Sequence, residues 1–274
     1  MADRHWWVVV KIFLSGAIGD IFAIEAFFTD KIRESLTTIY YASSKCQSLA
    51  ILFNALPNYK NLEHVFVWND WSQFSCFHYK HQCSQIMNEL DIDVPQFEEA
   101  EDFGIYMIFP LIQSGELSFN NSSWMMHTLC DIFHPLPEHY LVICPYGGTD
   151  RENRSFTVSD WEQTLSFLRQ KGVQGVVLND LDQPVPSDPN LIDLSTKTTI
   201  LEAIEILKKA NGYIGVDSSL AALAAKKFPS DKLLIKSIDA HLIEWSRVYY
   251  APHQEVPFLQ RQIDTSKLLI GGGS

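Results

Sequence analysis

No CxxC pair occurs in the chain, and its five cysteines (Cys46, Cys76, Cys83, Cys130, Cys144) are odd in number and widely scattered. A disulfide framework is thereby excluded, and a reducing compartment, the cytoplasm, is expected. The most apolar stretch, Trp6 to Phe28, is interrupted by Lys11, Asp20 and Glu25. It therefore predicts a buried strand running into a helix rather than a transmembrane segment. Basic residues are scarce in the first half: residues 1–137 hold 7 Lys/Arg against 16 Asp/Glu, whereas residues 138–274 hold 14 against 17. A net charge of −12, concentrated in the first half, argues against nucleic acid, whose binding depends on neutralising phosphates. The second half keeps the bases that a phosphorylated small ligand needs. Low-complexity tracts and short-period repeats are also absent, and the 46% apolar content is that of a folded globular protein.

Within 274 residues, short apolar runs alternate with helix-length segments. Strands are predicted at Trp6–Leu14, Leu36–Ala42, His64–Trp68 and Tyr106–Phe109, with helices near Asp20–Arg33, Lys45–Leu56 and His81–Leu90. Pro135 and Pro137 then break the chain. A second series follows: strand Tyr140–Cys144, helix Asp160–Lys171, strand Gly175–Asn179, helix Thr198–Ala210, strand Gly212–Val216, helix Ser218–Lys227 and strand Lys232–Ile235. This alternation predicts parallel sheets in two α/β halves, residues 1–137 and 138–274.

Ligands of parallel sheets gather at the carboxyl ends of strands. Three loops with suitable chemistry are expected there. In the first, Gly16 and Gly19 flank a tight turn before Asp20, a carboxylate that is either a helix cap or a general base. The second, ProTyrGlyGlyThrAspArgGluAsnArg, offers Gly148 for close backbone approach, the Thr149 hydroxyl, and the charges of Arg151 and Arg154 for phosphate oxygens. The third places Asp217, Ser218 and Ser219 at the mouth of a small-residue helix, whose N–H groups suit a diphosphate. Asp217 there is a cap, a sugar-hydroxyl partner or an organiser of the backbone. His78, His81 and Cys83 lack a fourth ligand at recognisable spacing, so no metal site is assigned to them. Trp68, Trp71, Phe74, Phe77 and Tyr79 form either core packing or a sugar-stacking platform.

Taken together, the three loops resemble those of the family-nine, heptosyltransferase-like glycosyltransferases. Gly16–Asp20 is similar to that family's G-x-x-G-D turn, AsnArgSerPheThrValSerAspTrp to its basic and aromatic entry into a Trp-bearing helix, and Asp217–Ser219 to its D-[ST]-[GS]-x-x-H segment. Ala222 stands where the family's histidine falls, and the chain is shorter than typical members, chiefly in its first half. The resemblance implies GT-B architecture, two Rossmann-like doubly wound domains facing a cleft. It also implies an inverting transfer from a nucleotide-diphosphate sugar to a glycan, lipid-glycan or protein hydroxyl, with no cofactor and no metal. Asp20 takes the role of base, and Gly16, Gly19, Gly148, Thr149, Arg151, Arg154, Asp217, Ser218 and Ser219 that of the donor site. A sugar-nucleotide epimerase or hydrolase, and a non-catalytic sugar-nucleotide-binding protein, remain open as alternatives on the same scaffold.

Overall fold

A computed structural model describes strand backbones at 9–14, 36–41, 62–66, 101–102 and 258–259, and residues 130–147, 154–236 and 263–270 with their side chains. The chain divides into two compact units, Met1–Thr128 and Leu129–Ser274. In the first, β1 (Val9–Leu14), β2 (Leu36–Tyr41), β3 (Leu62–Phe66) and β4 (Glu101–Asp102) form a parallel sheet in the order β3-β2-β1-β4. The first three coincide with predicted strands to within three residues. β4 was not predicted, and the helices expected in this half lie outside the described residues, as does the strand expected at Tyr106–Phe109.

The second unit holds β5 (Tyr140–Cys144), α1 (Val158–Lys171), β6 (Gln174–Val177), β7 (Leu191–Asp193), α2 (Ile200–Lys209), β8 (Gly212–Val216), α3 (Ser219–Lys227), β9 (Leu233–Lys236) and β10 (Phe258–Leu259). All six strands pair in parallel, in the order β10-β9-β8-β5-β6-β7. The chain moves outward from β5 through β6 to β7, then returns to lay β8 on the other side of β5. That reversal between β5 and β8 is where a doubly wound sheet opens a ligand crevice at its carboxyl end.

The near-continuous apolar strands follow from cover on both faces. Because side chains alternate across a strand, Leu141, Ile143, Ile214, Val216 and Leu234 share one face. They form a buried cluster with Trp161, Phe167 and Leu168 of α1 and with Ile263, Leu268 and Ile270 of the C-terminal segment. Tyr140 points the other way, and its hydroxyl donates to Ile206 O on α2 at 2.7 Å.

Local chemistry fixes the helix ends. α1 begins with a capping box: Thr157 accepts from Asp160 N, and the Asp160 carboxylate accepts from Thr157 N. It ends at Gly172, whose left-handed φ of 63° glycine adopts without a Cβ penalty. Thr199 and Ser218 cap α2 and α3. Among the described residues no helix is long and apolar enough to cross a membrane.

Candidate functional site

At the carboxyl end of β5 the chain turns through Pro145, Tyr146 and Gly147 and comes back at Arg154 to Phe156. Gly147 N donates to Arg154 O and Phe156 N to Pro145 O, both at 2.8 Å, around an antiparallel bridge between Tyr146 and Ser155. A second device sets the direction of exit. Phe156 immediately precedes the cap of α1 and packs edge-on against Trp161 in its first turn, with ring centroids 5.3 Å apart. This hydrophobic staple fixes the angle at which the chain enters the helix, and hence the place of Arg154 two residues earlier.

Across the switch point, β8 delivers Asp217 and Ser218. Glycine at 215 leaves room for the Tyr213 ring of the same strand: a Cβ there meets the Tyr213 hydroxyl at 2.5 Å and Cys144 O at 2.8 Å. The Tyr213 hydroxyl donates to Val216 O at 3.3 Å and lies 3.2 Å from Ser218 Oγ, which in turn accepts from Ala221 N. Ser218 is therefore a true helix cap, and Ser219 opens α3 behind it.

The two loops meet through charge. Arg154 Nη2 donates to Asp217 O at 2.7 Å and lies 3.1 Å from Asp217 Oδ2. Asp217 is only 6% exposed, whereas the Arg154 side chain keeps 21% of its surface open. The guanidinium is thus oriented by a main-chain oxygen while part of it faces solvent. Asp217, an unlikely companion for an anion when read from sequence, is the residue that holds the arginine.

Below this pair lies a second, closed one. Lys236 Nζ, at the end of β9, donates to Asp160 Oδ2 at 2.6 Å and to Ser155 O at 2.9 Å. The other carboxylate oxygen of Asp160 accepts from Ile263 N at 2.8 Å. Burial raises the Asp160 pKa, but Lys236, Ile263 N and the Thr157 groups outweigh it and hold the carboxyl below its ordinary value. Cys144, also at this end of the sheet, goes the other way: burial pushes its thiol up to about 12, so it stays protonated and is no nucleophile.

Of the site residues expected from sequence, the structure brings together Arg154 and Asp217 and sets Ser218 and Ser219 beside them. Gly16, Gly19, Asp20, Gly148, Thr149 and Arg151 lie outside the described residues. Three features escaped the sequence reading. Lys236 ends an otherwise apolar LeuLeuIleLys strand, and Asp160 completes a Thr-x-x-Asp capping pattern that was legible. The third is Asp180-Leu181-Asp182, a carboxylate pair just after β6. Both aspartates are exposed, Asn179 closes a local turn onto Leu181, and among the described residues no three His, Cys, Asp or Glu gather as metal ligands. A hollow of about 340 Å³ lined by Ile132, His134, Leu136 and Lys209 opens beside Tyr140, at the amino end of β5, away from these loops.

No family model matches the chain, and no curated protein matches it. Solved structures do. The ADP-heptose LPS heptosyltransferase II of E. coli aligns with a TM-score of 0.50 at 10% identity, over 96% of this chain and 95% of its own. The E. coli heptosyltransferase WaaC, solved with ADP, also gives 0.50 at 10% identity, over 92% and 93%. The iron-containing dodecameric glycosyltransferase TibC of enterotoxigenic E. coli H10407 gives 0.47 at 13% identity; the match covers 84% of this chain but only 57% of TibC. At these identities the likeness is one of fold, and that fold is the parallel α/β type of the heptosyltransferases.

Proposed function

We propose that this protein is a glycosyltransferase that moves a sugar from a nucleotide-diphosphate donor to a hydroxyl acceptor, with inversion and without a bound metal. The observation that carries the reading is the Arg154–Asp217 pair at the switch point of the second sheet, beside the mouth of α3. Fold likeness to two heptosyltransferases supports it.

In this reading the donor's diphosphate lies between the Arg154 guanidinium and the start of α3. Its oxygens compete with the Asp217 carboxylate for the guanidinium, while the bond to Asp217 O keeps the arginine in place. Helix N–H groups and Thr149 add donors, so negative charge gathering on the leaving diphosphate meets preorganised positive groups. Gly148 admits the ligand and Arg151 adds charge. Asp20, after the Gly16 and Gly19 turn, takes the acceptor proton as the new glycosidic bond forms and the bond to the diphosphate breaks. Such a donor, together with cysteines that build no framework, points to the cytoplasm.

A non-catalytic binding role is favoured by one feature, Ala222, which is fully buried in α3 where the family's histidine falls. Release of nucleoside diphosphate from a panel of nucleotide sugars, beginning with ADP-heptose, separates the readings. Transfer predicts release that depends on acceptor, survives a chelator and is lost in Asp20→Asn with donor affinity kept within a few-fold. Binding without release leaves the non-catalytic role, and a chain that binds no nucleotide sugar refutes both.

A further inference from the structure

We propose that Lys236 is a positioning residue for this anion site, setting where the Arg154 guanidinium meets a diphosphate; the inference rests on the diphosphate reading above. The hydrogen bonds around it close a circuit. Lys236 Nζ holds Ser155 O at 2.9 Å. The adjoining Arg154 is pinned through its own carbonyl by Gly147 N at 2.8 Å. Its guanidinium reaches Asp217 O at 2.7 Å. Asp217 N then returns to the main-chain oxygen of Lys236 at 3.0 Å. One residue thus grips both loops, by its side chain on one and its backbone on the other.

Stability alone does not account for a lysine here. Lys236 is 4% exposed and lies on the strand face of Leu234, where an apolar residue of similar length, with a neutral side chain at 160, packs without desolvating either charge. The ammonium adds direction. Asp160, 0% exposed, anchors Nζ from the side of α1, so the Ser155 carbonyl is fixed relative to both the helix and β9. Ligand groups act at full strength only when the residues behind them are themselves held. With Lys236 nearly out of solvent, its influence on a ligand runs through Arg154 and Asp217.

The test uses the full chain, with inorganic pyrophosphate as a probe that does not depend on the nucleoside. Lys236→Met is paired with Lys236→Met/Asp160→Asn, which removes the charge that the single variant leaves unpaired in the core. Pyrophosphate affinity is measured by calorimetry and folding by urea titration. The double variant is expected to fold and to bind pyrophosphate about tenfold more weakly, the scale on which residues supporting a ligand group act. Adding Arg154→Ala to it should then cost far less than Arg154→Ala costs the wild type, because the two act as a unit. A purely structural lysine moves the urea midpoint and leaves pyrophosphate affinity unchanged; that result overturns the proposal. Wild-type protein that takes up no pyrophosphate, or takes it up equally well as Arg154→Ala, overturns the diphosphate reading and this proposal with it. Loss in Arg154→Ala with none in the Lys236 variants removes the role of Lys236 alone.

Discussion

Two ion pairs stand within one loop cluster of the second unit, built to different ends. Asp160–Lys236 is sealed, at 0% and 4% exposure, and each carboxylate oxygen has a further backbone N–H partner. Arg154–Asp217 also has its carboxylate buried, but its cation reaches solvent. A buried pair must be satisfied completely, because either charge alone in the core is costly. A cation with one side in water is partly screened and can take a further partner on that side while keeping its buried carboxylate. The difference separates a pair sealed within the core from one whose cation faces solvent.

The comparison is broken most directly at Asp160. Asp160→Ala leaves Lys236 buried without its counter-charge and Ile263 N without its acceptor, so urea denaturation should show a loss of ~3–5 kcal/mol. The pH dependence follows from the lowered Asp160 pKa. Its contribution is fully present above the ordinary carboxylate value of 3.8 and is lost as pH falls through the lower folded value. The stability gap between wild type and Asp160→Asn should accordingly narrow in acid; a gap constant from neutral pH down through that range shows that the carboxylate charge is not its source.

At the open pair the effect moves from stability to binding. Arg154→Ala should weaken nucleoside-diphosphate binding by ~1.5–3 kcal/mol, the worth of a hydrogen bond to a charged group. Stability should fall as well, by less than at Asp160, because the variant leaves the buried Asp217 carboxylate without its cation on a side that water already reaches. Calorimetry and melting on one preparation check both, and a large stability loss without a binding loss reverses the assignment of roles.

In α3, which follows Asp217 and Ser218, Ala222→His tests for room. Ala222 is fully buried, so an imidazole overpacks the helix against the sheet and costs ~1–3 kcal/mol in a thermal melt. An unchanged melting temperature means that space exists for the histidine of the resembling family.

Lys227 sharpens the contrast from the far end of α3, with the smallest effect. It donates to the carbonyls of Leu207, Lys208 and Ala210 at the end of α2, with no carboxylate partner among these contacts. Burial, with Lys208 and Lys232 nearby, lowers its pKa to about 8. The folded state then releases this proton at lower pH than the unfolded chain, whose lysine titrates at 10.5, so stability gains from this group as pH rises between those values. After allowance for its partial exposure the gain is ~1 kcal/mol. Lys227→Met should remove that slope; a slope that persists in the variant belongs to another group.

Much of the second sheet was legible because its inner strands are runs such as TyrLeuValIleCys and GlyTyrIleGlyVal, covered on both faces. β7 and β10 were not. They have three and two residues, and their identity as strands comes from pairing, Leu191 with Gly175 and Phe258 with Ile235, rather than from any apolar run of their own. β4 escaped for the same reason. Arg154 and Asp217 were each readable as residues of loops that follow strands. Their union was not, because they stand 63 positions apart and meet only since β8 is laid beside β5.

The sequence by itself determined the alternation of strand and helix and the loops at which charge collects, since each depends on residues within a turn or two of one another. Tertiary structure decided which strands became neighbours and which charges found partners. Those choices depend on closing long loops and on the cost of leaving any buried charge unmatched, and neither can be computed from a window of local sequence. Asp160 and Lys236, 76 residues apart, are joined by that second requirement.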